Sequence, residues 1–305
     1  MISYLLNKIF YALLTLFGVV TVIFFLFNVL PGDPAQMMMG QSEDSEQLAK
    51  VKAKYGFDKP ILTQYAYYIN DLSPVSFHSK SKEDYTFLRE DKYSAICLFS
   101  IGNATTVLKF PYLRESFTKQ GKKVTQVLGE TLPNTFVLAV SAIIIAIILG
   151  VFLGIISALY KDKWLDKTIQ IFSTLGMSVP SFFSAILFAW FFGYVLHKYT
   201  NLEMTGSLYE LDDFGEAMHI KWKNLILPAV VLGIRPLAVV IQLMRNSLLE
   251  VFNQDYIRTA RAKGLSEFQI IKRHAVKNAL NPVVTAISGW FASMLAGAVF
   301  VEFIF

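Results

Sequence analysis

Five apolar runs, each too long for a single strand and long enough to cross a bilayer, constrain this chain more than any other feature. They cover residues 9–30, 136–159, 168–196, 225–244 and 282–305. A helix rises about 1.5 Å per residue, so about 20 residues cross a hydrocarbon core about 30 Å thick, whereas a barrel strand needs only about 10. Inside lipid every backbone N–H and C=O must find a partner, and a helix supplies them within the segment itself. The expected fold is therefore an all-α, polytopic helical membrane bundle with five visible spans. Composition agrees: 54% of the residues are hydrophobic and 17% charged, against about 45–50% apolar and about 25% charged in soluble domains. The first run outlasts the roughly 7–15 apolar residues of a signal peptide and no small-x-small cleavage site follows, so it reads as a retained first helix.

Charge then sets the orientation. The loop 160–167 carries Lys161, Lys163 and Lys167, and the loop 245–281 carries Arg245, Arg258, Arg261, Lys263, Lys272, Arg273 and Lys277. The segment 197–223 is instead acidic, with Glu203, Glu210, Asp212, Asp213 and Glu216. Excess Lys and Arg mark cytoplasmic loops, which places the N-terminus inside and residues 31–134 outside. Three regions follow: a first transmembrane helix (1–30), an extracytoplasmic segment (31–134) and a membrane bundle (135–305). The run Pro31-Gly32-Asp33-Pro34 ends the first helix in a sharp turn, because two prolines in four residues cannot continue it. Residues 43–55 and 61–71 read as short surface helices. The β-branched and aromatic stretches 93–101 and 105–110, around Gly102-Asn103, fit a small β-hairpin.

Several chemistries are absent. The chain has no phosphate-binding G-x-x-x-x-G-K-[ST] loop, no H-E-x-x-H and no G-x-S-x-G. His78, His197, His219 and His274 have no metal-ligand spacing, and the one cysteine, Cys97, excludes an intrachain disulfide. Within the spans the ionisable residues are Arg235 and Glu302, either paired or snorkelling to the outer interface. That is too thin a relay for a proton-coupled carrier.

The polar stretch 255–282 is better organised than an ordinary loop. Asp255 can cap a helix through Lys263, Gly264 supplies a left-handed C′ residue, and Leu265 is the hydrophobic residue that commonly follows. Ser266 and Gln269 complete a capping box for a second short helix, which puts Phe268, Ile271 and Ala275 on one stripe. Small residues Ala260 and Ala262 allow close approach of another surface, and Pro282 marks the start of the fifth span. Two readings fit: an amphipathic helix lying on lipid headgroups, or a docking element for a soluble partner. Cap, break and recap within ten residues favour docking.

The segments "LPGDP", "YGFDKPILTQYAYYINDL", "ETLPNTFVLAV", "SVPSFF", "NLILPAVVLGI" and "QDYIRTARAKGLSEFQIIKRHAVKNALNPVVT" occur in that order and at fitting topological places. Together they resemble the permease subunit of the dipeptide/oligopeptide/nickel branch of ABC importers. The last is similar to that family's cytoplasmic EAA loop, with Arg258-Thr259-Ala260 where the general motif has Glu-Ala-Ala. The resemblance implies a transport subunit rather than an enzyme, with no catalytic, cofactor or metal site in this chain and ATP-Mg bound in partner subunits. It also implies a homologous second permease, two P-loop ATPases, an extracytoplasmic solute-binding protein and a bacterial inner-membrane location. Asp255, Ala260, Gly264, Leu265, Ser266, Phe268, Ile271, His274 and Ala275 then form the ATPase-coupling loop. Thr174, Ser178, Pro180, Gln242 and Asn246 are candidates for lining the path. The outer stretch 74–110 exceeds what the family needs. The ending "VFVEFIF" falls where the family continues into a sixth span. Rival readings are a membrane scaffold or anchor, a stand-alone secondary carrier and, within the family, nickel or another small solute as cargo.

Overall fold

The computed structural model describes residues 2–29, 35–36, 45–82, 84–89, 92–119, 121–211 and 218–305. The expected turn at 31–34 and the acidic Asp212, Asp213 and Glu216 lie outside the described residues. Two compact units divide the chain, Met1–Glu130 and Thr131–Phe305.

In the first unit, α1 (Ile2–Val29) is apolar on every side and exposes residues such as Leu6, Phe10 and Leu14. A helix hydrophobic all round requires an apolar surrounding, which here is lipid. Near its end Phe24 is buried beneath Tyr65 and Tyr68, with ring centroids at 5.2 and 5.3 Å, and Thr21 Oγ1 lies 2.7 Å from the Tyr65 hydroxyl. Those tyrosines belong to α3 (Ile61–Leu72), which follows α2 (Ser45–Tyr55) and starts at Pro60, a residue suited to a helix start.

The hairpin expected around Gly102-Asn103 is present as β2 (Ala95–Ile101) and β3 (Ala104–Lys109), with Gly102 at φ 58°. It is part of a larger antiparallel sheet, order β1-β3-β2, in which β1 (Val75–Ser79) pairs Val75 with Leu108 and Ser79 with Ala104. Cys97 is exposed on the edge strand β2.

Behind the sheet, Asp71 is 1% exposed and heavily engaged. Tyr85 and Tyr93 donate their hydroxyls to its carboxylate at 2.8 and 2.6 Å, and Arg114 Nε donates at 2.9 Å. Lys109 Nζ donates to the Asp71 carbonyl at 2.9 Å. A carboxylate taken from water needs this many partners to remain charged. Desolvation pushes the Lys109 and Lys92 ammonium groups down to about 8, although Asp71 draws both upward. The stretch 74–110 that sequence left without a role is thus a folded sheet held on one buried carboxylate.

The second unit carries the remaining spans. The helix α4 (Val124–Leu159) starts in the first unit and passes through Pro133. Its Gly150 and Gly154, four residues apart, admit α8 (Lys223–Phe252) closely. A Cβ on Gly154 would stand 2.7 Å from Met244 Cβ and 2.9 Å from the Ile241 carbonyl. Small residues that bring backbones together are the usual device where lipid offers no hydrophobic drive between helices.

The run 168–196, expected as one span, is broken. The helix α5 (Trp164–Ser178) and α6 (Ser181–Phe188, continued by a π-helical turn Ala189–Val195) meet at 109°. Pro180 causes the break: it lacks an N–H and drives Val179 into extended backbone, at φ −81° and ψ 131°. A short helix, α7 (His197–Thr200), and a two-stranded hairpin, β4 (Tyr209–Leu211) with β5 (Met218–Ile220), lead into α8. Among the described residues four helices are long and apolar enough to cross a membrane, and the bent pair makes a fifth if it forms one span.

Candidate functional site

After Phe252 the chain turns and forms α9 (Asp255–Ala262). Its N-cap is Gln254, at ψ 148°, rather than the expected Asp255, which opens the first turn and meets Arg258 Nη1 at 3.4 Å. An acidic group there still complements the helix dipole. The C-terminal stop is as read from sequence. Gly264 takes φ 79°, its N–H donates to the Arg261 carbonyl at 2.9 Å, and Leu265 N–H donates to the Ala260 carbonyl at 3.3 Å. Those two bonds are the Schellman pattern. Ser266 then accepts from Gln269 N–H while the Gln269 side chain accepts from Ser266 N–H, the reciprocal capping box of α10 (Glu267–Ile270). Arg261 Nε donates to Glu267 Oε1 at 2.9 Å, bridging the corner.

The second helix differs from expectation. It is not a separate short helix, because it runs on from Glu267 to Gly297 as one 31-residue helix through Pro282. A π-helical turn, Ile271–Ala275, joins α10 to α11 (Val276–Gly297), which α12 (Val299–Ile304) follows. The wider turn rephases the helix by adding one residue to the interval. Ile270, Ala275, Ala279 and Val283 are all fully buried, so Ala275 parts from Phe268 and Ile271, with which helical spacing grouped it. Phe268 is 71% exposed, and Ile271 and His274 are half-buried.

The inner face of the corner belongs to the membrane bundle's own core. Ile257, Ala260, Ile270 and Ala275 pack in one cluster with Met244, Leu248 and Val251 of α8 and Ala158 of α4. Ala260, expected to admit a partner surface, is thus occupied internally, and only Ala262 of the two small residues is exposed. Burying Ile257 and Ile270 contributes about 1.5–3 kcal/mol each, enough to make the corner a rigid extension of α8. Sequence pattern missed both anchors. The outer face presents Phe268, Lys272, Arg273 and Lys277, with Lys272 Nζ 5.9 Å from the Phe268 ring centroid.

One buried ion pair ties the same end of the bundle together. Arg245 of α8 donates to Asp166 of α5 twice, Nε to Oδ1 at 2.7 Å and Nη2 to Oδ2 at 2.6 Å. Ser157 of α4 donates to Oδ1 at 2.5 Å, Asp162 N–H donates to Oδ2 at 2.9 Å, and Gln170 Nε2 donates to Ser157 Oγ at 3.0 Å. The loop charges read from sequence included Arg245 but gave no sign of this pairing.

The path candidates are spread over three helices. Thr174 and Ser178 return their hydroxyls to their own helix, at 2.9 Å to Gln170 O and 2.8 Å to Thr174 O, and both are exposed. Pro180 caps α6, while Gln242 and Asn246 stand one turn apart on α8. Among the described residues Arg235 and Glu302 form no ion pair. Arg235 lines a cavity with Ser181 and Trp290, and Glu302 lines another with Asn134 and Asn224.

Comparison with known proteins agrees with this architecture. Residues 150–305 match the family model of the binding-protein-dependent transport system inner membrane component, and residues 1–82 match the N-terminal model of the same membrane component. The chain is 30% identical to the dipeptide transport system permease protein DppB of Lactococcus lactis subsp. cremoris, over all of this chain and 83% of that protein. It is 30% identical to the protein of the same name from Bacillus subtilis, over all of this chain and 82% of that one. The di/tripeptide transport system permease protein DppB of Pseudomonas aeruginosa is also 30% identical, over all of this chain and 84% of its own length. These relatives are named as permease subunits of transport systems, not as enzymes. With its apolar helices and its match to both models, the chain belongs to the binding-protein-dependent transport system inner membrane component family, as a multi-pass permease subunit of an importer that works in a complex with other subunits.

Proposed function

We propose that this subunit forms half of the translocation path of an ATP-driven importer for short peptides. A homologous permease supplies the other half, two P-loop ATPases bind the ATP-Mg, and an extracytoplasmic solute-binding protein delivers cargo. The N-terminus and the 255–282 corner lie on the cytoplasmic face of a bacterial inner membrane. Peptide as cargo is supported by the printed names of relatives at 30% identity.

The observation that carries the coupling role is the two-faced corner. Its inner side is continuous with the core of α8, and its outer side holds an aromatic ring 71% exposed on a capped helix start. Such a ring costs hydration unless a partner covers it, and aromatic anchors of this kind dominate docking energies. A push on Phe268 reaches α8 through Ile257 and Ile270, and reaches α5 and α4 through Arg245, Asp166 and Ser157. Closure of the ATPase pair then rocks the spans between outward and inward openings.

The test is ATP-dependent uptake of a labelled dipeptide into proteoliposomes holding the full complex. Uptake that needs this chain, ATP and the binding protein is expected. ATP-dependent uptake of nickel but not of peptide would replace the cargo and leave the coupling role standing.

A further inference from the structure

The broken span and the unpaired arginine meet at one cavity. Arg235 lies twelve residues into α8, about 18 Å from Lys223, and the α5–α6 break lies about 22 Å from the start of α5. Both are therefore deep within the bilayer's thickness. The cavity between them, about 80 Å³, is lined by Arg235, Ser181, Ser184, Ser293 and Trp290. That is room for a carboxylate group and a water, at about 30 Å³ per water.

Three features of this cavity point to an anion. Among the described residues Arg235, which is exposed where it borders the cavity, has no ion-pair or hydrogen-bond partner, and a lone cation at membrane depth is costly unless it serves a ligand. Ser184 is 8% exposed, lines the cavity and has no hydrogen-bond partner for its hydroxyl. The N-terminus of α6 opens here without a side-chain cap, because its cap residue is Pro180. Its first amides carry the positive end of the helix dipole and need an acceptor that lipid cannot provide. A half-helix N-terminus beside a guanidinium is the arrangement that receives a carboxylate in a membrane path.

We infer that this cavity is a carboxylate-receiving station for the C-terminal carboxylate of a peptide in transit, with Arg235 as its cation and Ser184 and the α6 amides as neutral donors. The inference rests on the peptide-importer reading. It gives the break at Pro180 a purpose, since a continuous helix would have no free amides at that depth.

The experiment is uptake by the complete reconstituted transporter of one tripeptide as the free acid and as the C-terminal amide, each saturating, with native protein, Arg235→Lys, Arg235→Met and Ser184→Ala. The expected result is a loss of tenfold or more in free-acid uptake for Arg235→Met, a loss under threefold for Arg235→Lys, and amide uptake changed by less than twofold in both. Ser184→Ala is expected to lower free-acid uptake two- to fivefold. Equal losses for acid and amide would assign Arg235 to a subunit contact and overturn the station, as would unchanged uptake of both by Arg235→Met. A native complex that imports neither peptide would refute the importer reading itself, a result distinct from import without discrimination.

Discussion

Substitution of Gly264 separates backbone strain from steric contact at the corner. Its φ is 79°, a left-handed conformation, and a Cβ placed there meets nothing within 4 Å. The cost of any side chain is then conformational. Alanine in this region costs about 1–2 kcal/mol, offset by about 0.4–1 kcal/mol from the reduced freedom of the unfolded chain. The net is about 0–1.6 kcal/mol, or up to roughly a fifteenfold loss of correctly formed corner at 1.4 kcal/mol per decade. Asparagine tolerates the left-handed region and should cost less. Proline cannot reach that φ and has no N–H, so the bond to the Arg261 carbonyl disappears and the Leu265 to Ala260 bond goes with the turn. Two hydrogen bonds at about 1 kcal/mol each, added to a forbidden backbone angle, bring the loss to about 3 kcal/mol or more.

The assay is ATP hydrolysis and peptide uptake measured side by side in proteoliposomes. Coupling, as peptides carried per ATP, should fall in the order glycine, asparagine, alanine, proline. Gly264→Pro should insert normally yet carry less than a tenth of the native ratio. Native coupling in Gly264→Pro would refute the reasoning, and so would an alanine variant as damaged as the proline one.

Three further outcomes are expected. Arg245→Met should destabilise the protein by about 3–5 kcal/mol by stranding the buried Asp166 carboxylate, whereas the double variant Arg245→Met/Asp166→Leu should recover most of the loss; thermal unfolding in detergent checks this. Gly154→Ala should cost about 1–3 kcal/mol because its Cβ would meet Met244 at 2.7 Å, read as a lowered unfolding midpoint, while Gly289→Ala, with open space around it, should not. His78 is buried between Ser76 Oγ and the Thr86 carbonyl, and burial holds its imidazole below the usual histidine range. Its folded-state proton affinity is therefore the lower one, so its contribution is present above pH about 6.5 and is lost as pH falls through the depressed value. Limited proteolysis of the first unit should accelerate between pH 7 and 5, and much less so in His78→Gln.

Much of this molecule is legible in its sequence because its strongest signals are additive and local. Hydropathy over 20 residues locates the spans without reference to packing. The Gly264 corner and the Ser266 box depend on residues within four positions of each other, so they too can be read directly. What sequence hides is long-range or geometric. Asp166 and Arg245 are 79 residues apart, and nothing in the loop's charge count distinguishes a paired carboxylate from a solvated one. The strand β1 pairs with β3 far along the chain, Val75 with Leu108, so only the local β2–β3 hairpin is visible beforehand. The π-helical turn at Ile271–Ala275 follows from packing Ile270 and Ala275 on the same core, and helical spacing alone grouped exposed Phe268 with buried Ala275. Pro180 was in plain view. Its effect was hidden by the apolar residues on both sides, which satisfy a hydropathy window whether the helix is straight or broken.

The central claim is that the 255–282 corner docks an ATPase through its outer face. The direct measurement is a tagged purification in mild detergent of the native chain and of Phe268→Asp, co-expressed with the remaining subunits. Phe268 is exposed, so the aspartate should leave insertion and monodispersity intact. The account predicts that the native chain retains P-loop ATPase subunits and that Phe268→Asp loses at least nine-tenths of them. Equal retention by the two proteins would contradict it and place the docking surface elsewhere on the chain.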